Sequence, residues 1–219
     1  MIMSTSYCVE DIEEALPQFP PGPLDFYRKQ ASFDWRKMKL LLEGEEVIKF
    51  KNYIVDTLKA DPLFHRTPHE ELSREESRRL TFLRLKKLNE YNFVDENLIL
   101  LNPYLAPTYM QTIGGFSWSL MVKRVLSTEY FLMNLVTSAS NYELSVRDAI
   151  ATFKALGCIS ITELAHGSNT KELKTTATYD LHNQKFVLNT PSLEATKVWS
   201  GVLGQTATHG RFCNYFQSN

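Results

Sequence analysis

The chain has 219 residues, of which 43% are hydrophobic and 22% charged, and its 24 basic against 25 acidic side chains leave a formal charge of -1. That balance excludes collagen-like, low-complexity and disordered classes, and it provides no global field for nucleic acid or an anionic membrane. Cys8, Cys158 and Cys213 are odd in number and far apart, so neither a disulfide framework nor a zinc site is indicated.

The stretch from Met1 to Leu16 carries Glu10, Asp11, Glu13 and Glu14 and lacks a basic segment followed by an apolar run, so it reads as neither secretory signal nor transit peptide. Four prolines among residues 17–23 hold that segment extended, and residues 1–23 are expected to precede the packed chain. Asp34 is placed to cap a short helix from Trp35 to Leu42, which Gly44 ends; Glu45 to Lys59 resumes with Val47, Phe50, Ile54 and Leu58 on one face. A third helix has two candidate starts, a capping box at Thr67 and Glu70 with Pro68 between, and another at Ser73 and Glu76. Its apolar stripe is read as Leu80, Leu83, Leu88 and Tyr91. Helical pattern continues over residues 107–136 and again over 143–156, where Val146, Ala149, Ile150 and Phe153 share a face. Lys123, Arg124 and Glu129 interrupt the most apolar stretch, which argues against a membrane span.

At Gly157 the period changes. Cys158 to Thr162, Leu173 to Tyr179 and Lys185 to Asn189 read as strands, the last two forming a hairpin, and a fourth strand is expected from Glu194 to Trp199. The expected fold is therefore α+β and multidomain. The chain runs from all-helical to all-β, with a boundary near residue 156.

His65 and His69 have a zinc-like spacing, but Pro68 intervenes and no third ligand is near, so they read as surface histidines. Gly114 and Gly115 lack the preceding strand and third glycine of a dinucleotide fingerprint and read as a helix junction. The segment from Ile161 to Thr170 leaves a strand and gathers polar side chains around Gly167. Thr162 could offer hydroxyl and N–H to a heterocycle, and Ser168 and Asn169 could meet a phosphate or thioester-linked carrier. Pattern alone favours the simpler reading, a strand-ending turn with Gly167 at positive φ. His166 and Ser168 make a poor hydrolase pair, since no nucleophile elbow surrounds them. From Lys197 to Gly204, Trp199 precedes two glycines, and Gly201 would let backbone approach a flat ligand.

Together, the run from Thr162 to Thr170, Thr175 to Asp180, Phe186, Leu188 to Pro191 and Gly204 to His209 closely resembles the peroxisomal acyl-CoA oxidases. Gly22 to Asp25, Tyr27-Arg28, Ala31 to Phe33 and Trp35 resemble the same family's opening, and the likeness extends over about residues 16–209. Asp61 to Phe64 and His166 to Thr170 look nearest the branched-chain, pristanoyl type. The resemblance implies an acyl-CoA dehydrogenase-like architecture, with a helical domain over residues 24–156 and the start of an antiparallel β-barrel or sandwich middle domain over 157–219, and FAD at the middle domain with Thr162 and Gly201 binding the cofactor. Trp199 would pack on the flavin and Ser168 would contact CoA.

It further implies oxidation of an acyl-CoA to a trans-2-enoyl-CoA with transfer of electrons to O2, a homodimer or association with a full-length oxidase, and a peroxisomal location. After Thr208-His209 the tail departs from the family pattern and ends at Asn219 without a peroxisomal tripeptide. The sequence without the resemblance says cytosol. The family's glutamate base belongs to a later segment, so no catalytic residue is named, and Glu163 is not put in its place. The expected consequence is a shortened chain of impaired activity, or a non-catalytic binding module or an inert isoform, with an unfinished sheet that leaves strand edges uncovered.

Overall fold

A computed structural model describes residues 15–65, 71–138, 146–150, 152–213 and 215–217. The described chain forms two compact units, one ending at Trp118 and the other starting at Ser119. Strand structure begins at Gly157 as the change of period indicates, but the division into units falls well before it, because the helices after Trp118 group with the sheets.

The first unit is built from helices whose starts are chemically marked. Helix α1 runs Asp25–Lys29 and α2 Trp35–Glu43; the Asp34 carboxylate accepts from the N–H groups of Arg36 and Lys37, which no turn of the helix could satisfy. Gly44, at φ 81, separates α2 from α3, Glu45–Ala60, as only a residue without Cβ does readily. Ile48, Ile54 and Leu58 of α3 are buried, while Val47 and Phe50 are half-buried.

A 3-10 turn at Pro62–Phe64 leads to α4, Arg74–Tyr91, which starts at the capping box of Ser73 and Glu76. Thr67, Pro68, His69 and Glu70, the other candidate start, lie outside the described residues. The expected stripe on α4 needs correction: Leu83 is exposed, whereas Arg84 is buried beside Leu85 and Leu88. Its guanidinium donates to the carbonyls of Leu63 (2.8 Å) and His65 (2.9 Å) and lies 5.8 Å from the ring centres of Phe64 and Phe116. Those partners make burial of a cation tolerable. Nearby, the Tyr91 hydroxyl donates to Asp61 at 2.5 Å. Helices α5, Glu96–Leu101, and α6, Leu105–Phe116, complete this unit, with Gly114 and Gly115 at the end of α6.

Helix α7, Trp118–Arg124, which lies in the second unit from Ser119 on, passes through a π-helical turn at Val125–Glu129 into α8, Tyr130–Ser138. No helix among the described residues is long and apolar enough to cross a membrane. Phe131, Leu135, Ile150 and Ala155 form a core cluster with Val146, Ala149 and Ile159 against it. The helix expected to reach residue 156 stops early: Phe153 has φ 60, outside any right-handed helix, and residues 152–155 form a turn. Gly157 then begins β1, Gly157–Ser160, against the Phe131 ring, where a Cβ would lie 2.0 Å from the ring carbon.

Strands β2, Thr176–Asp180, and β3, Lys185–Asn189, form the expected antiparallel hairpin. The remaining pairings correct the antiparallel expectation. The tail contributes β4, His209–Phe212, parallel to β1, and β5, Tyr215–Gln217, parallel to β2. No sheet closes into a barrel among the described residues. The strand expected from Glu194 to Trp199 is instead a 3-10 turn at Leu193–Ala195 followed by a single bridge from Lys197 to Glu163.

Candidate functional site

The two segments singled out in the sequence lie side by side. The hydroxyls of Ser160 and Ser200 hydrogen-bond at 2.5 Å, the Val198 N–H donates to the Thr162 carbonyl at 3.0 Å, and Glu163 bridges Lys197. These contacts share one antiparallel register, which places Ile161 opposite Trp199 and brings Gly201 just past the Ser160–Ser200 contact. Thr162 is half-buried, and among the described residues nothing bonds to its N–H or its hydroxyl. Both groups stay available to a ligand.

Trp199 is 90% exposed with φ 63. A bulky residue in the left-handed region costs about 1–2 kcal/mol, and an indole left in water forgoes one of the largest apolar burials a side chain offers. Local strain of this kind concentrates at ligand sites. Gly201 is exposed, and a Cβ built on it would meet no atom within 4 Å, so backbone there is open to close approach. Its φ is ordinary, whereas Gly204, at 77°, takes the left-handed turn. Ser168 is exposed in the same loop, and no contact joins its side chain to Thr162 or Gly201. Gly167 is not in the left-handed region, which removes the turn chemistry that the simpler reading of this loop assigned to it.

Next to Thr162 in the chain lies a feature that sequence reasoning passed over. Glu163 is 1% exposed. Its Oε1 accepts from the Thr175 hydroxyl (2.6 Å), the Thr175 N–H (3.0 Å) and the Lys197 ammonium (3.0 Å), and its Oε2 accepts from the Lys174 N–H (2.8 Å). Burial pushes its pKa up, but the hydrogen bonds from Thr175, Lys174 and Lys197 outweigh it and leave the carboxyl at about 2. With its acceptor capacity used in this way it is not arranged as a proton acceptor for a substrate. Lys197 also donates to the carbonyls of Ile161 (3.1 Å) and Cys213 (2.6 Å), so all three ammonium protons have acceptors. The sequence signal was weak, since nothing local links Glu163 to Lys197.

His166 donates through Nε2 to the Glu172 carbonyl at 2.7 Å, and its Nε2 lies 3.5 Å from Glu163. That closes the loop but makes no nucleophilic pair with Ser168. His65 Nε2 donates to the Lys59 carbonyl at 2.9 Å on the surface, and His69 lies outside the described residues. Among the described residues no group of three His, Cys, Asp or Glu could hold a metal ion.

A cleft of about 270 Å³ is lined by Thr175, Leu188, Asn189, Thr196, Lys197 and Phe212, so it borders the Glu163–Lys197 pair. A larger one, about 570 Å³, lies in the first unit between Glu43, Glu45, Lys51, Asn102 and Tyr104. Neither is lined by Thr162, Ser168, Trp199 or Gly201.

No family model matches the chain. Human peroxisomal acyl-coenzyme A oxidase 3 is 42% identical over 194 residues, which is 89% of this chain and 28% of that protein. Acyl-coenzyme A oxidase acox-3 of Caenorhabditis elegans is 35% identical over 186 residues, 85% of this chain and 27% of its own length. Among solved structures, acyl-CoA oxidase 3 of Yarrowia lipolytica matches with a TM-score of 0.77 at 26% identity, covering 90% of this chain and 28% of that one. Acyl-CoA oxidase-2 of Caenorhabditis elegans, solved with FAD, ascaroside-CoA and ATP, matches with a TM-score of 0.70 at 26% identity over 94% of this chain and 31% of that one. The chain thus spans less than a third of the length of the relatives it matches.

Proposed function

We infer that this chain, a partial, N-terminal-like member of the peroxisomal acyl-CoA oxidase family, captures FAD on the paired segments that carry Thr162 and Gly201 and serves acyl-CoA oxidation in fatty-acid β-oxidation. The observation that carries this reading is that the paired segments bear, within three positions of one register, an unbonded Thr162 N–H and hydroxyl, an exposed left-handed Trp199 and an open Gly201 backbone.

These groups fit a flat, polar heterocycle. Thr162 offers one backbone and one side-chain hydrogen bond to ring heteroatoms, Trp199 offers an indole face to stack, and Gly201 lets the ring edge approach the chain. Covering the indole excludes water from one side of the site and stabilises the otherwise strained backbone. Ser168 presents its hydroxyl to the CoA portion of the substrate. When bound, FAD supplies the hydride acceptor, with O2 as the terminal oxidant. No residue of this chain is assigned as the catalytic base. The division into a helical domain over 24–156 and a partial β-domain over 157–219, a peroxisomal location and a homodimer belong to the same reading.

A second reading has its own observation. Every residue of β3 is exposed, Phe186, Val187 and Leu188 among them, and β3 is an edge of its sheet. An uncovered edge of this kind suits strand addition, so association with a full-length oxidase is the alternative use of the chain.

The test is gel filtration of the purified chain with added FAD, followed by visible absorption. Flavin bands that co-elute with protein, and are lost in T162V, support the cofactor reading. Colourless protein that retains a full-length oxidase on a column supports the second.

A further inference from the structure

The paired segments are joined by few contacts. Besides the Ser160–Ser200 contact and the Val198-to-Thr162 bond, the Leu164 and Ala165 N–H groups donate to the Thr196 and Glu194 carbonyls at 3.1 Å each. No regular ladder fixes the register, and a slip of one residue would turn every side chain to the opposite face. Only these few bonds hold Thr162 opposite Val198 through the backbone.

The Glu163–Lys197 pair is built for that task. The carboxylate ties Glu163 to Lys174 and Thr175, and the ammonium ties Lys197 to Ile161 and Cys213. Thr162 is therefore flanked on both sides by residues bonded to Lys197, one through its carbonyl and one through its carboxylate. Trp199 and Gly201 follow Lys197 closely in the chain. A displaced Lys197 would leave the buried Glu163 carboxylate without its countercharge and the Ile161 and Cys213 carbonyls without this donor, so the alternatives to this register are disfavoured.

We propose that Glu163 and Lys197 are positioning residues: their buried ion pair locks the register of residues 160–165 against 194–200 and thereby presents Thr162 and Gly201 together to the cofactor. This rests on the FAD reading above for the identity of the ligand. The locking of the register stands on the geometry alone.

The test compares the full chain with the single variants E163Q and K197M and with the double variant E163Q/K197M. Removing both charges avoids leaving one of them buried and uncompensated, so the double variant regains most of the stability that each single variant loses. Its far-UV circular dichroism should match the parent, while FAD affinity, read by quenching of flavin fluorescence, falls roughly tenfold or more. Amide exchange without FAD should accelerate roughly tenfold in residues 161–166 and 196–201 and stay unchanged in the β2–β3 hairpin. Unchanged exchange in those segments of a folded double variant overturns the proposal. If the parent chain binds no FAD, the cofactor reading fails by itself and the exchange arm still decides whether the pair locks the register.

Discussion

In the first unit the turn after α3 is fastened by a buried cation, Arg84, whose guanidinium bonds the carbonyls of Leu63 and His65 and lies near the Phe64 and Phe116 rings. In the second unit the loop after β1 is fastened by a buried anion, Glu163, which collects N–H, hydroxyl and ammonium donors. Both devices satisfy backbone groups where the chain leaves regular structure, but they differ in what surrounds them. Arg84 sits in a helical core with aromatic walls. Glu163 follows Thr162 in the chain, and the Thr162 N–H and hydroxyl have no partners among the described residues. A turn in a core needs only to hold, whereas a turn beside the proposed cofactor-binding groups must also keep them in place.

The largest effect separating the two should come from Lys197→Met, which leaves Glu163 buried with its charge uncompensated. We expect a loss of about 3–5 kcal/mol in urea unfolding, together with loss of FAD binding. Arg84→Met should cost about 3 kcal/mol, because the Leu63 and His65 carbonyls lose a charged donor, yet the change in amide exchange should stay within the first unit. A similar loss of protection around Thr162 in both variants would erase the distinction.

The pH edges sharpen it. Glu163 has its pKa lowered from 4.5 to about 2, so its contribution to stability is fully present above pH 4.5 and is lost as pH falls through about 2. That contribution is on the order of 3 kcal/mol, and Glu163→Gln should flatten the acid limb of the second unit. In the first unit Tyr91 is raised from 10 to about 12, by burial first and then by its hydrogen bond to Asp61. Its contribution is present below pH 10 and is lost as pH rises through about 12, so Tyr91→Phe removes an alkaline dependence there. Asp61 is lowered, chiefly by the Tyr91 hydroxyl and then by the Leu63 N–H, and adds an acid component to the first unit. Tryptophan fluorescence and amide exchange followed across pH would assign each edge to its unit.

The smallest effect on stability is expected at Trp199. Replacement by Gly removes an exposed side chain and relieves a left-handed backbone, so the chain without cofactor should gain about 1 kcal/mol. The same variant should bind FAD more weakly. A stability loss there would mean that the indole supports the fold.

What the sequence could reveal followed from the range of the interactions. The Asp34 cap, the Ser73–Glu76 capping box and the β2–β3 hairpin depend on residues close in the chain, and each forms as expected. Arg84 was hidden because helical periodicity assigns the buried face by apolarity, and its acceptors lie on a preceding turn. The parallel pairings of β4 and β5 and the replacement of the fourth strand by a 3-10 turn depend on the tail finding β1 and β2 across long separations. Phe153, read as the end of a helical face, turns left-handed to let Gly157 reach Phe131. At the site, Thr162, Trp199 and Gly201 were visible as residue types at a strand end and in a family resemblance. Their alignment through Glu163 and Lys197 was not, since a buried ion pair between distant segments leaves no periodic trace.

The most direct measurement is amide hydrogen exchange of the full chain with and without FAD. Bound cofactor should slow exchange at residues 161–163 and 198–201 and leave the β2–β3 hairpin and the first unit unchanged. Protection elsewhere, or none at any concentration of FAD, would contradict the claim that these two segments form one cofactor-facing site.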